Sequence, residues 1–329
     1  MKNNNEILFT IAIPTHNRPC FIDKNLLSLV KNNFFDLNFA ELLISDNSTN
    51  LKTLKIVNKY QFKNLKYKKF ANCTYKDNWL NCLNHSSGKY VLILGDDDVL
   101  DELFIKNIHL IVQKEFSLAI FKGIGYKNNI PTHKKTDLSL ISTEDSLDFF
   151  KFAGTKITFI SNIIINSHLL KNKHIKNEFN GNLVQLDYIF YLLKHYKKFL
   201  LINNYLVYAY VGNNSWGFSG IKLFSIDLNR YMNKYLTQNE TIFINKAFLS
   251  SYFPYEIYKI RKNNFTFDKN ILNIYEKYLL VNIFIYPLLV IPKFLLTPIA
   301  FLIIVLGKIY NNEVFWLYKK LKYFYRDQI

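Results

Sequence analysis

Glycine and proline are scarce in this chain of 329 residues, at ten and seven. That excludes collagen-like repeats and Gly/Pro-rich linkers. Cysteine is scarcer still. Cys20, Cys73 and Cys82 are odd in number and form no Cys-x-x-Cys pair. A disulfide framework and a structural zinc site are therefore poor readings, and a reducing compartment fits better. Acid is short against base: 25 Asp and Glu face 42 Lys and Arg, a formal net charge of +17. Such an imbalance calls for an anionic partner: nucleic acid, a lipid surface or a phosphorylated substrate. The basic residues are spread out and no reader motif is present, so no nucleic-acid partner is expected. Met1–Glu6 is polar and the apolar run Ile7–Ile13 stops at Pro14, so no export signal is expected either. Apolar residues are plentiful at 50%, with 17% aromatic, enough for one large domain or two modest ones.

The first hundred residues alternate regularly. Short β-branched or apolar runs at Ile7–Ile13, Glu41–Ser45, Leu65–Phe70 and Tyr90–Leu94 read as strands. Helical spacing separates them at Phe21–Val30, Leu51–Tyr60 and Lys76–His85, the last ended by Ser86-Ser87-Gly88 as a C-cap. Strand–helix alternation implies βαβ units and a mostly parallel sheet flanked by helices. Further on, Leu103–Val112 and Leu183–Tyr196 read as helices. Ser117–Lys122, Ile157–Ile165 and Phe199–Val211 read as strands, Asn128–Thr143 as a loop and Leu223–Lys277 as a helical, basic region.

Three polar clusters follow strands: Thr15-His16-Asn17-Arg18, Asp46-Asn47-Ser48 and Asp96-Asp97-Asp98. In α/β sheets ligands bind outside the carboxyl ends of the strands, so three loops distant in sequence should meet along one edge. Three consecutive carboxylates repel one another unless a cation compensates them. Mg²⁺ or Mn²⁺, which takes one or two carboxylates plus substrate phosphates, resolves that conflict. The plainer alternative is a solvated acidic turn capping the helix that follows.

Residues 7–112 resemble the family 2 glycosyltransferases, which have the GT-A fold. The resemblance rests on Ile11-Ala12-Ile13-Pro14-Thr15-His16-Asn17-Arg18, on Glu41 to Ser48, on Asn72 and Asn78, and on Gly88 to Asp98. It implies that Pro14, Thr15, Asn17 and Arg18 shape a nucleotide-base pocket, with Asp46 on base or ribose and Asn47 and Asn78 in support. It also implies Asp96 at the ribose end, Asp97 among the donor-binding residues, and Asp98 as the main ligand, with Asp96, of Mg²⁺ or Mn²⁺ on the diphosphate. The reaction implied is inverting sugar transfer from a nucleotide-diphosphate donor to a saccharide or lipid-linked saccharide in surface-polysaccharide synthesis. Two departures stand out: His16 replaces an aromatic residue and reads as a loop residue, and Gly95 replaces an acid. The Gly-Asp-Asp-Asp form and Gly181–Leu186 are similar to an abequosyltransferase-like subgroup. The general base is expected past the metal motif, where Asp187 is the best-placed carboxylate; its alternative is an exposed helical Asp. Trp216, in the loop Gly212–Gly220, could stack on a sugar or anchor a core. A nucleotide-binding, membrane-associated protein without catalysis, or a basic nucleic-acid binder, are the competing readings. A sugar nucleotidyltransferase would want a Gly-rich loop, and residues 7–20 contain no glycine.

The expected organisation is a GT-A catalytic domain at 1–222, with halves 1–112 and 113–222, and a helical region at 223–329. Residues 278–310 hold only two formal charges, Lys293 and Lys308, and are divided by Pro287, Pro292 and Pro298. Neither half reaches the ~20 residues of a straight span. A re-entrant hairpin or a pair of interfacial helices on the inner leaflet would keep the cationic tail and the catalytic domain on the cytoplasmic face of the inner membrane. A buried helical pair or a dimer interface is the alternative.

Overall fold

The computed structural model of the protein describes residues 7–131, 137–171, 173, 183–211, 220–266, 268–307 and 309–310. The chain divides into two compact units, Met1–Ser146 with Thr158–Asn214 and Leu147–Ile157 with Ser215–Ile329.

The first unit is built on a nine-stranded sheet. Strands β1 (Phe9–Thr15), β2 (Ala40–Asp46), β3 (Leu65–Lys69) and β4 (Tyr90–Ile93) lie in the order β3-β2-β1-β4, all parallel. The crossovers are α1 (Pro19–Lys31), α2 (Lys52–Val57) and α3 (Tyr75–His85). Every residue of β1 and β2 is buried, which is why both read as unbroken apolar runs. β3 is the edge strand and carries Lys66, Lys68 and Lys69, charges that discourage further pairing.

Beyond β4 the sheet changes character. It adds β5 (Val99–Leu100), β6 (Leu118–Tyr126), β7 (Leu140–Thr143), β8 (Ile163–Asn166) and β9 (Phe199–Tyr210). β8 runs antiparallel between β4 and β6, β6 is parallel to β9, and β5 and β7 are antiparallel to β9. The expected mostly parallel sheet is thus a mixed one. β8 is entered through 3₁₀ turns at Gly154–Thr158 and Ile160–Asn162 and not from a crossover helix, so the rule that fixes parallel β1–β4 does not act on it. The strand expected over Ile157–Ile165 accordingly shrinks to its last third. β7 lies inside the stretch expected to be loop, and its half-exposed residues give no apolar run to read.

Helices α4 (Glu102–Val112), α5 (Ser146–Ala153) and α6 (Gln185–His195) complete the set used below. Phe104 of α4 packs its ring 5.9 Å from Phe9 and 5.3 Å from Phe121, binding α4 to β1 and β6. The segment 147–157, with most of α5, packs in the second unit, which a single boundary at 222 does not anticipate.

The second unit is helical, as expected over 223–277, and is built from several separate helices. Thr237 starts a new helix, Gln238–Ala247, with a reciprocal capping box to Glu240. Asn264, at φ 58°, lies beyond Phe253–Lys262 and ends that one. Inside, Asn229 donates to the Tyr275 hydroxyl (3.0 Å) and Asn245 to that of Tyr278 (3.1 Å), a buried polar network that fixes helix register. Among the described residues no helix is long and apolar enough to cross a membrane. Residues 311–329, which hold the cationic tail, and the Trp216 loop lie outside the described residues.

Gly88 is needed for a reason other than the C-cap expected of it. Ser86 is the C-cap of α3, and a Cβ on Gly88 would lie 2.7 Å from the backbone of both Phe9 and Thr10. Both contacts are main chain and cannot swing aside. Gly88→Ala should therefore lower unfolding stability by about 1–3 kcal/mol, the usual cost of overpacking, in a urea titration; an unchanged midpoint would contradict the close approach.

Candidate active site

The carboxyl ends of β1, β2 and β4 lie side by side. Thr15 stands in register with Asp46, and the chain leaves β4 beside β1, with Leu94 N donating to Ala12 O at 2.9 Å. At this edge Thr15 Oγ1 donates to Asp96 Oδ2 (2.8 Å). Arg18 Nη1 donates to Asp96 Oδ1 (2.8 Å) and to Asp97 Oδ2 (3.2 Å). Pro19 opens α1, so Arg18 sits at the helix entrance with its guanidinium free to turn toward the triplet. From inside α1, Asn25 Nδ2 donates to Asp96 O (2.8 Å). Pro14 pairs with Ser45 within the buried sheet.

The second cluster is a set of interlocked loops. Asn17 adopts φ 55°, a left-handed turn that asparagine tolerates. Its N–H donates to Ser48 Oγ (2.7 Å), and its Oδ1 accepts from Thr49 N (3.1 Å) and Asn50 Nδ2 (3.0 Å). His16 Nδ1 lies 2.9 Å from Asn47 O, the loop role expected of it. Asn78 Nδ2 donates to Ser45 O (3.1 Å) and to Asn47 Oδ1 (3.2 Å), and Asn47 Nδ2 to Cys73 O (2.9 Å). Asp46 is wholly buried. Its oxygens accept from Ser48 N (2.7 Å) and the Tyr67 hydroxyl (2.7 Å), with Lys69 Nζ at 3.5 Å. Its carboxylate ties the β2 loop to β3.

The three carboxylates of the triplet differ. Asp96 is buried and compensated, and Asp97 is the most exposed, with a fifth of its side chain accessible. Asp98 is turned inward: Ser161 Oγ donates to its Oδ2 (2.5 Å) and Tyr210 N to its Oδ1 (3.0 Å). Burial pushes Asp98 up to about 7; the Ser161 and Tyr210 hydrogen bonds oppose the shift, while Asp97 and Asp96 reinforce it. Burial also raises Asp96, against the pull of Arg18. Gly95 leaves room for this arrangement, because a Cβ there would meet Asp98 Oδ2 at 2.9 Å and Ser161 Oγ at 3.3 Å. The plain capping reading falls to another residue: Asp101, whose Oδ1 accepts from Leu103 N (2.7 Å), is the N-cap of α4.

Asp187 lies in the first turn of α6 and is fully buried, which removes the alternative of an exposed helical Asp. Its neighbour Tyr188 packs 5.3 Å from Trp79 on α3, the helix that carries Asn78. Gly181 and Asn182 lie outside the described residues.

Sequence reasoning missed Ser161, Tyr210, Tyr67 and Lys69. The last two stand on β3 beside β2, where parallel register sets Lys69 against Asp46; correct pairing of β3 would have shown it. Ser161 and Tyr210 carry no local signal, since a 3₁₀ turn and a strand end meet at Asp98 only through the tertiary fold.

Among the described residues no group of three or more His, Cys, Asp or Glu is arranged to hold a metal. A divalent cation that takes one or two carboxylates and completes its shell with phosphate and water needs no such group. The donor set fits it: all oxygen, with Asp97 accessible and Asp96 beside it, provided that Arg18, which compensates both here, turns away. Asp98, with each oxygen engaged, fits it less well than the sequence reading expects.

A family model described as Glycosyl transferase family 2 matches residues 10–172. The match covers just under half of the chain. The matched region contains β1 to β4, all three loops and the acidic triplet, and the fold around it is the GT-A-like α/β arrangement of a mixed sheet and helices. The chain is 29% identical over 191 residues to a Campylobacter jejuni protein named GalNAc(5)-diNAcBac-PP-undecaprenol beta-1,3-glucosyltransferase, covering 53% of this chain and 56% of that one. It is 28% identical over 150 residues to abequosyltransferase RfbV of Salmonella typhimurium, covering 44% of each. The chain spans about half the length of the curated relatives it matches. A crystal structure of S. aureus TarS 1-349 in complex with UDP-GlcNAc matches with a TM-score of 0.49 at 18% identity, over 78% of this chain and 82% of that one.

The raised Asp98 gives the matched region a signed pH dependence. Its folded value lies above the unfolded one, so the folded state holds the extra proton between about pH 4 and 7. That contribution is complete below the unfolded value and is lost as pH rises through 7. Asp98→Asn, which cannot ionise, should gain in Tm relative to the wild type from pH 5 to pH 8 in metal-free buffer. A difference that does not change with pH would contradict the buried placement.

Proposed function

We propose that this protein transfers a sugar from a nucleoside diphosphate donor to a hydroxyl of a lipid-linked saccharide, with inversion and with Mg²⁺ or Mn²⁺ on the donor diphosphate. The observation that carries the reading is the meeting of Thr15, Arg18, Asp96 and Asp97 at one sheet edge, where a cation and a pyrophosphate can be held together. The family match over the same residues supports sugar transfer, and the name of the C. jejuni relative supports a polyprenyl-diphosphate-linked acceptor. Nucleotide sugars are cytoplasmic, so the proposed reaction runs on the cytoplasmic face of the inner membrane.

In this reading Asn17, Asn47 and Asn78 hold the β1 and β2 loops rigid so that their rims accept the nucleoside. The proposed assignment gives Asp97, with Asp96 beside it, to the cation, and leaves Asp98 to fix the turn that presents them. When bound, the cation would neutralise the charge developing on the departing diphosphate. Arg18 is already aimed at the same place, and once the cation takes over the carboxylates its guanidinium can face a phosphate oxygen. Asp187 takes the proton of the acceptor hydroxyl as the new oxygen–C1 bond forms. The old C1–oxygen bond breaks from the opposite face, and its electron pair leaves on the diphosphate. Attack opposite the leaving group inverts the anomeric centre.

The test is a thermal-shift screen of nucleoside diphosphates with and without Mn²⁺, paired with assays of two variants. A cognate ligand at 100 times its Kd should stabilise the protein by about 2.7 kcal/mol. Asp97→Asn should abolish the Mn²⁺-dependent part of that shift. Asp187→Asn should keep the shift and lose about 10²-fold or more of transfer. No shift with any nucleotide would defeat the donor site; full transfer by Asp187→Asn would remove the base.

A further inference from the structure

The second unit carries an apolar surface that the transfer reaction does not use. Ten of the 21 large hydrophobic side chains exposed among the described residues fall between 279 and 309. They stand at helical spacing. Leu279, Ile283 and Val290 are four and seven apart over the helical stretch 279–290, and Phe294 and Phe301 are seven apart from the entrance of the next helix onward. Val290, Phe294 and Phe301 are 76%, 81% and 70% exposed. Each helix buries its opposite side, Val281, Phe284, Ile285 and Leu288 in the first and Leu296, Ala300 and Ile303 in the second. Folding therefore sorts both helices into an inner and an outer apolar face, and among the described residues only the inner one is covered. Soluble proteins rarely leave a patch of this kind unoccupied.

The charge around it selects the occupant. Residues 277–310 contain Lys277, Lys293 and Lys308 and no acid, and 220–310 as a whole holds 11 Lys and Arg against five Asp and Glu. Lysines lie over tyrosine rings nearby, Lys277 on Tyr278 (5.5 Å) and Lys262 on Tyr258 (5.5 Å), and Tyr286 is itself 43% exposed. Aromatic and cationic side chains beside an apolar face are the makeup of a headgroup-level belt. The break between the two helices is tied by Arg261, whose guanidinium donates to Leu288 O (2.5 Å) and Ile291 O (2.9 Å), so the second helix cannot straighten onto the first. Among the described residues neither helix is long and apolar enough to cross the ~30 Å hydrocarbon core. We infer that the outer face of helices 279–290 and 296–307 lies in the plane of an anionic bilayer, inserted from one side. The inference stands apart from sugar transfer, since a protein with no donor site would bind the same way.

The experiment is flotation of the full chain with vesicles of phosphatidylglycerol and phosphatidylcholine, against pure phosphatidylcholine, at 0.1 M and 0.5 M salt. The triple variant Val290→Asp, Phe294→Asp, Phe301→Asp is compared with Leu27→Asp, a control on an exposed site of α1. The wild type and the control should float with anionic vesicles at both salt concentrations, because insertion survives screening. The triple variant should lose at least tenfold at 0.5 M salt with its Tm unchanged. Three outcomes would overturn the inference. In the first, the variant floats like the wild type at 0.5 M salt. In the second, a wild-type dimer that the variant dissociates fails to float, which makes the face a contact between copies. In the third, the variant's Tm falls steeply and the wild type does not float, which means the chain covers the face itself.

Discussion

Three carboxylates leave one buried strand in succession, and the layout of the site follows from how each is compensated. Asp98 is drawn inward by Ser161 and the Tyr210 amide, Asp96 is held by Thr15 and Arg18, and Asp97 is left toward solvent with the same guanidinium beside it. Burying a carboxylate without such partners would cost several kcal/mol, so each partner has to be in place for the turn to form. Those partners come from β1, the α1 entrance, the 3₁₀ turn before β8 and the end of β9. The acidic turn thereby gathers three distant parts of the chain, around residues 15–18, 161 and 210, to one edge of the sheet. Apolar burial builds the layers; charge compensation sets where their loops converge.

The same logic runs in the neighbouring loop. Asp46 is consumed by Ser48, Tyr67 and Lys69, and asparagines at 17, 47 and 78 supply the hydrogen bonds that a short polar loop cannot make within itself. Asparagine serves here because it donates and accepts at once without adding charge to an already charged rim. Glycine is used sparingly and where space demands it: Gly88 against the β1 backbone and Gly95 against Asp98. Any side chain at position 95 would press on the Asp98–Ser161 pair, so the glycine there and the inward turn of Asp98 go together.

The parallel half of the sheet was legible because periodicity, crossover handedness and turn chemistry all act locally there. The polar clusters after β1, β2 and β4 were legible for the same reason, since strand ends in such a sheet share an edge. The rest of the sheet was not. β8 is four residues long and antiparallel, β7 is half exposed, and both take their direction from partners far along the chain. The inward role of Asp98 was hidden likewise, because nothing within the triplet distinguishes the carboxylate that meets Ser161 from the one that meets solvent. In the C-terminal region the low charge could be read directly, but its division into inner and outer faces is a product of folding.

The central claim is that Asp96 and Asp97 form a cation-dependent diphosphate site at the sheet edge. Anomalous diffraction at the manganese edge, on crystals grown with Mn²⁺ and a nucleoside diphosphate, tests it most directly. The account predicts a peak within coordination distance of an Asp97 oxygen and a diphosphate oxygen, with Arg18 turned from the carboxylates toward phosphate. A peak elsewhere, or a nucleotide bound with Arg18 still paired to both carboxylates and no manganese beside them, would contradict it.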